Sequence, residues 1–187
     1  MYNNCIKSAR GVYMENTLIK NCYVIVCGPA VGKTYLANID KRFFDLDGEK
    51  AKYKYGLYNA TEEELESGKL NRGEVVNRDS NEWAIKKMHE EINKKHCVLI
   101  SYHGKLLEYI VNNNIDYCLV FAGKELPKEY AQRMKNRKNT DKFINGMTND
   151  DIWEKFYFDN INDTRATYKI ELEKGMYLSD IKDRFVL

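Results

Sequence analysis

The chain predicts an α/β domain built on a mostly parallel sheet with helices on both faces. Three observations predict it. Short apolar runs with little polar alternation recur along the sequence, as strands buried on both faces require. Longer stretches with apolar residues at helical spacing separate them. Glycines and acids cluster just after the first two of these runs, and the carboxyl ends of strands are where such sheets bind ligands.

The elements follow in order. Residues 22–27 (CYVIVC) read as the first sheet strand, running straight into a glycine loop. Residues 32–38 read as a short helix and 42–47 (RFFDLD) as a second strand ending in acids. The stretch 80–95 (SNEWAIKKMHEEINKK) offers Ser80 as an N-cap, with Trp83, Ala84, Met88 and Ile92 at helical spacing. A third buried strand is 97–101 (CVLIS), followed by a helix over 104–112 and a strand over 116–122 (DYCLVFA). Pro127 suits the first turn of a helix that runs past Met134. Residues 151–160 read as an aromatic-rich helix and 166–171 as a fifth strand.

Residues 1–20 carry little patterned hydrophobicity and read as an N-terminal extension, with Met14 nearer to where such a domain begins. The remainder, 21–187, reads as one domain. A length of 187 residues suits a single core.

Composition narrows the function. Hydrophobic residues make up 43% and charged residues 31%, and 30 basic against 28 acidic residues leave a net charge of +2. Wholesale polyanion binding needs a concentrated basic surface, so phosphate chemistry here belongs to a local site. Only 2 Pro, together with 14 Tyr and 7 Phe, argue against disorder. No apolar run approaches the ~18 residues of a membrane span, and no apolar signal core opens the chain. Of the cysteines, Cys22, Cys27, Cys97 and Cys118 lie in or beside strand-like runs and Cys5 stands apart; no pair has CxxC spacing. Buried reduced thiols in a cytoplasmic protein account for them.

The strongest motif is Gly28-Pro29-Ala30-Val31-Gly32-Lys33-Thr34, which matches GxxxxGK[ST] between a buried strand and a helix. The glycines let the backbone curl its N–H groups around phosphate oxygens. Lys33 is expected to reach the β- and γ-phosphates, and the Thr34 hydroxyl to ligate Mg²⁺. The expected ligands are therefore ATP and Mg²⁺. A guanine-reading NKxD is lacking, since Asn139-Thr140-Asp141-Lys142 departs from it and follows no apolar strand. The third strand ends in Ser101-Tyr102-His103, without the acid that motor and remodelling ATPases place there. A small-molecule kinase is the compact option at this length.

Asp45 and Asp47 lie two apart at the end of the second strand, so alternation puts both on one face. Asp45 is the expected metal-side acid, and Asp47 the group that positions the acceptor. Between 124 and 142, Lys124, Lys128, Arg133, Lys135, Arg137, Lys138 and Lys142 outnumber Glu125, Glu129 and Asp141. Arg133 and Arg137, four apart, are expected to share a helix face and clamp the transferring phosphoryl group. The following loop, 136–148, reads as part of a lid spanning 133–148. His103 is a candidate substrate contact. The polar stretch 48–79, with Lys52, Lys54, Arg72 and Arg78 among Tyr53, Tyr55 and Tyr58, reads as an acceptor-binding insertion, and Arg78 as a candidate substrate contact. His89 and His96 lack ligand spacing, so no metal site made of protein ligands alone is expected.

CGPAVGKTYLA, FFDLD, EYAQRMKNRKNTDKFI and IELEKGMYLSDI together resemble small P-loop kinases of phages of Gram-positive bacteria, described as adenylate-kinase-like or nucleoside/nucleotide-kinase-like ATP-binding proteins. The resemblance covers most of residues 21–182. It implies a three-layer P-loop NTPase fold with five mostly parallel strands, nucleoside-monophosphate-kinase-like, with ATP·Mg²⁺ as donor and a closing lid. It places the loop 173–177, and Gly175 in it, near adenine. The DLD pair is similar to the DxD of shikimate-type kinases, which implies Asp45 near Mg²⁺ and Asp47 on the acceptor. The expected activity is phosphoryl transfer to a nucleotide, foremost a (deoxy)nucleoside monophosphate, in the cytoplasm of a bacterial host. The alternatives are a hydroxyl kinase acting on a nucleoside, nucleic-acid end or modified base, and a non-catalytic ATP-binding regulator. Nucleic acid enters only as a kinase substrate.

Overall fold

Val24–Cys27 has no polar residue, and all four of its residues are buried. Such a run has to sit in the middle of a sheet with both faces covered. The structure, a computed structural model, describes residues 17–46, 80–102 and 104–187. In chain order the elements are β1 (Ile19–Lys20), β2 (Val24–Cys27), α1 (Lys33–Ile39), β3 (Phe43–Asp45), α2 (Ser80–Asn93), β4 (Cys97–Ser101), α3 (Lys105–Asn112), β5 (Cys118–Ala122), α4 (Pro127–Asn136), α5 (Asp141–Thr148), α6 (Asp150–Ile161), β6 (Tyr168–Leu172), a 3₁₀ helix (Leu178–Arg184) and β7 (Phe185–Val186).

Five strands form one parallel sheet in the order β3-β4-β2-β5-β6. The central strand β2 is bonded on both sides, with Ile25 level with Leu99 of β4 and Cys118 of β5. Alternation then sorts the side chains. Ile25, Cys27, Leu99 and Val120 pack with Leu36 of α1, Met134 of α4 and Ile181 of the 3₁₀ helix. Val24, Val26, Val98 and Leu119 pack with Met88 of α2 and Ile110 of α3. Helix α6 serves both cores, giving Trp153 to the first and Phe156 and Tyr157 to the second. The domain is thus α/β, with helices on both faces of a parallel sheet.

The chain leaves β2 for β3 on one flank of the sheet, and leaves β4 for β5 on the other flank. The connections diverge at β2, and the crevice outside the carboxyl ends of the strands there is the place such sheets reserve for ligands.

Several boundaries differ from the sequence reading for identifiable reasons. Helices α1 and α3 begin one residue later than the patterns predict, because Gly32 and Gly104 have φ of 94° and 110°. The last strand runs Tyr168–Leu172 rather than 166–171, since Thr167 is engaged ahead of it with the Asp116 carboxylate and the Tyr117 carbonyl. The segment 136–148, expected as a loop, contains α5. Thr140 accepts from the Phe143 amide to cap it, and Ile144 buries its inner face. Residues 17–20, placed in an extension, join the packed body: Ile19 is buried and β1 pairs with β7. Two-residue strands carry no periodicity, so neither β1 nor β7 was visible in the pattern.

No described helix is long and apolar enough to cross a membrane. Cys22, Cys27, Cys97 and Cys118 are buried and in no disulfide. Burial raises the Cys22 thiol to about 11 and pushes Cys97 and Cys118 up as well, so these groups stay protonated and behave as small core residues.

Buried Glu91 ties α2 to the start of β4. Its carboxylate accepts from Lys94 at 2.8 Å and pairs with His96 at 2.7 Å and Lys87 at 2.9 Å. Burial alone would raise its pKa; the three partners outweigh that and hold it at about 2. A depressed carboxyl contributes stability above its ordinary pKa and loses it as pH falls towards the folded value. Glu91→Gln is therefore expected to cost about 2 kcal/mol at pH 7, with the gap from the parent closing between pH 4.5 and about 2. Urea unfolding across that range checks this; a gap that does not narrow would assign the loss to packing instead.

Candidate functional site

The glycine-rich loop leaves β2 at Gly28 and enters α1 at Lys33. Its backbone is left-handed at Ala30 (φ 59°) and Gly32 (φ 94°). Left-handed residues spaced in this way curl successive N–H groups into an anion-binding concavity. The Lys33 ammonium donates to the Gly28 carbonyl at 3.2 Å, so its side chain arches back over the loop. Gly28 lies against the Phe156 ring of α6, where an added Cβ would sit 3.4 Å from the ring. Gly32 lies under the Tyr177 ring at the same distance.

Thr34, the second residue of α1, donates its hydroxyl to Asp45 Oδ2 at 2.6 Å. Asp45 is nearly buried at the end of β3, level with Leu99 of β4. The two expected metal-side residues therefore meet, although they come from different elements. A hydroxyl and a carboxylate are hard oxygen donors and fit Mg²⁺, which commonly takes one or two protein ligands and fills its shell with phosphate oxygens and water. No group of three His, Cys, Asp or Glu among the described residues forms a metal cage.

The expected lid arginines have different fates. Arg133 is buried on α4. Its guanidinium pairs with Glu129, donates to the Met176 carbonyl at 2.9 Å, and lies between the Tyr130 and Tyr177 rings, 4.6 and 3.8 Å from their centroids. Arg137 is exposed at the C-cap of α4, beyond the last helical residue. The Arg137 amide still donates to the Arg133 carbonyl, so the two stay one turn apart, but Arg133 is turned inward onto Tyr177 while Arg137 lies in solvent. Gly175, in the turn after β6, has φ of 81° and donates its amide to both oxygens of Glu129 at 3.1 and 3.3 Å.

Asp47, Arg78 and His103 lie outside the described residues, as does the whole insertion 48–79. Sequence reasoning missed Glu129 and Phe156, and it placed Tyr177 only within the loop 173–177 expected near adenine, not over Gly32. Glu129 had a usable signal, its i,i+4 spacing to Arg133. Phe156 had none, since it reaches the loop from far along the chain.

Gly32→Ala is expected to destabilise the protein by about 1 kcal/mol, because alanine resists the left-handed φ and its Cβ meets Tyr177. Thermal melting checks this; an unchanged midpoint would show that the loop relaxes freely. Neither a family model nor a curated protein matches the chain in sequence.

Proposed function

We propose that the protein is an ATP-dependent phosphotransferase acting on a nucleotide, foremost a (deoxy)nucleoside monophosphate. The observation that carries the reading is the 2.6 Å contact between Thr34 and Asp45, beside a curled GxxxxGKT loop at the carboxyl edge of a parallel sheet. A structural glycine turn has no need of a hydroxyl and a carboxylate converging there.

Lys33 neutralises the β- and γ-phosphates, and the loop amides hold them. Thr34 and Asp45 hold Mg²⁺, which when bound supplies further neutralisation of the phosphate charge. Arg137, exposed at the end of α4, takes the role of the guanidinium that meets the transferring group, on the strength of the resemblance. Asp47, two residues beyond Asp45, together with Arg78 and His103, takes the acceptor side on sequence grounds. A monophosphate acceptor arrives with an ionised oxygen and needs no general base. A hydroxyl acceptor would make Asp47 the base. Buried thiols outside any disulfide suit the reducing cytoplasm of a bacterial host.

A second reading, a non-catalytic ATP-binding regulator, draws on β4. That strand ends in Ser101, followed by Tyr102, with no acid at that edge.

Transfer from γ-labelled ATP to monophosphates, nucleosides and 5′-hydroxyl oligonucleotides separates the readings. The expected product is a diphosphate; ATP binding with no product from any acceptor class would favour the regulator. Lys33→Ala is expected to lower transfer at least about 100-fold with an unchanged unfolding curve, and retained turnover would remove the loop from the mechanism. Arg137→Ala is expected to lower kcat about tenfold with little change in KM for ATP. Steady-state kinetics decides, and an unchanged kcat would take Arg137 out of the transfer step.

A further inference from the structure

Arg133 raises a physical question. A buried guanidinium with one carboxylate partner is a weak device for stability, because desolvation offsets most of the attraction. Here Nε and Nη1 find no hydrogen-bond partner among the described residues. What the arrangement does is hold one segment in place. Glu129 grips the Gly175 amide, and Arg133 grips the Met176 carbonyl and the face of Tyr177.

The gripped segment bears on the phosphate loop at two points. The Leu178 amide donates to the Val31 carbonyl at 3.0 Å. The Tyr177 ring sits on Gly32. Tyr177 has little freedom of its own: its amide donates to the Asp180 carboxylate at 2.7 Å, its carbonyl accepts from the Asp180 amide at 3.0 Å, and the next residue, Leu178, is fully buried. Val31 and Gly32 are the last two residues before Lys33, so whatever fixes them fixes where α1 and its Lys33 begin.

We infer that Glu129, Arg133 and Tyr177 form a clamp that presets the shape of the phosphate loop, with Arg133 a positioning residue acting through Tyr177 rather than a lid group that touches the γ-phosphoryl. The clamp rests on the reading of residues 28–34 as a phosphate site. It predicts a particular signature. A residue that contacts the nucleobase affects ATP but not a phosphate chain lacking a base. A residue that shapes the loop affects both.

The test is calorimetric titration of Mg·ATP and of inorganic Mg·tripolyphosphate into the full chain. Tyr177→Ala and Arg133→Met are each expected to weaken both ligands by about tenfold. The double variant should lose about tenfold rather than a hundredfold, because both changes break one chain of contacts. Tyr177→Phe, which keeps the ring over Gly32, should restore parental affinity. If Arg133→Met fails to fold, Tyr177→Ala carries the test, since that ring is partly exposed. ATP weakened with tripolyphosphate unchanged would make Tyr177 a base contact and overturn the clamp. Additive losses in the double variant would also overturn it. Parental binding in every variant would remove the clamp and leave the phosphate site standing, whereas a parent protein that binds neither ligand would remove both.

Discussion

The complete burial of β2 is the constraint on which the rest depends. Four apolar residues bonded on both sides leave no edge and no exposed face, so each neighbour must be a strand and each face must carry helices. The chain leaving such a strand emerges at the carboxyl edge of the sheet, where β4 and β5 end beside it. Backbone groups that turn there have lost their ladder partners. The glycine-rich loop meets that demand by curling, and a curl of this kind turns its N–H groups into a concavity of the sort that holds anions. The core and the candidate site are two results of one burial pattern.

The sequence made the sheet legible because buried strands leave a simple mark: runs such as CVLIS and CYVIVC, short and apolar. All five sheet strands appear where those runs predict: β4 with the same bounds, β2, β3 and β5 shortened, and β6 shifted towards Leu172. The loop was legible because its chemistry is local, held within Gly28–Thr34, and the Thr34–Asp45 meeting followed from placing an acid at the end of the next strand in the chain. What stayed hidden is what depends on distance along the chain. Tyr177 above Gly32, Phe156 beside Gly28 and Ile19 level with Phe185 are tertiary coincidences with no local signature. The different surroundings of Arg133 and Arg137 stayed hidden for the same reason. Spacing puts the two one turn apart, but Met176 and Tyr177, which hold Arg133 in the interior, come from far along the chain.

Charge inside this domain takes two forms. Asp163 and Glu91 are nearly buried yet well served. Asp163 accepts from Arg165 and from the Tyr117 hydroxyl at 3.0 Å, and its pKa falls because those bonds outweigh burial. Glu91 fastens α2 to the start of β4, and Asp163 fastens the end of α6 to the residue that leads into β5. Arg133 is served less fully, beside the glycine loop. Proteins accept incomplete hydrogen bonding where geometry is demanded rather than stability, and the contrast between these groups separates framework from candidate site without any reference to activity.

The bond from Leu178 to Val31 also orders events in time. Residues 28–34 leave the ribosome with β2 and α1, ahead of the other strands of the sheet. The amide that donates to the Val31 carbonyl belongs to Leu178, made only after β6. A nascent chain therefore carries the motif well before it carries the segment that bonds to it. Docking of that segment joins distant parts of the chain and is correspondingly slow to nucleate. The candidate site is in this sense completed late, although its glycine motif is made well before the segment that packs on it.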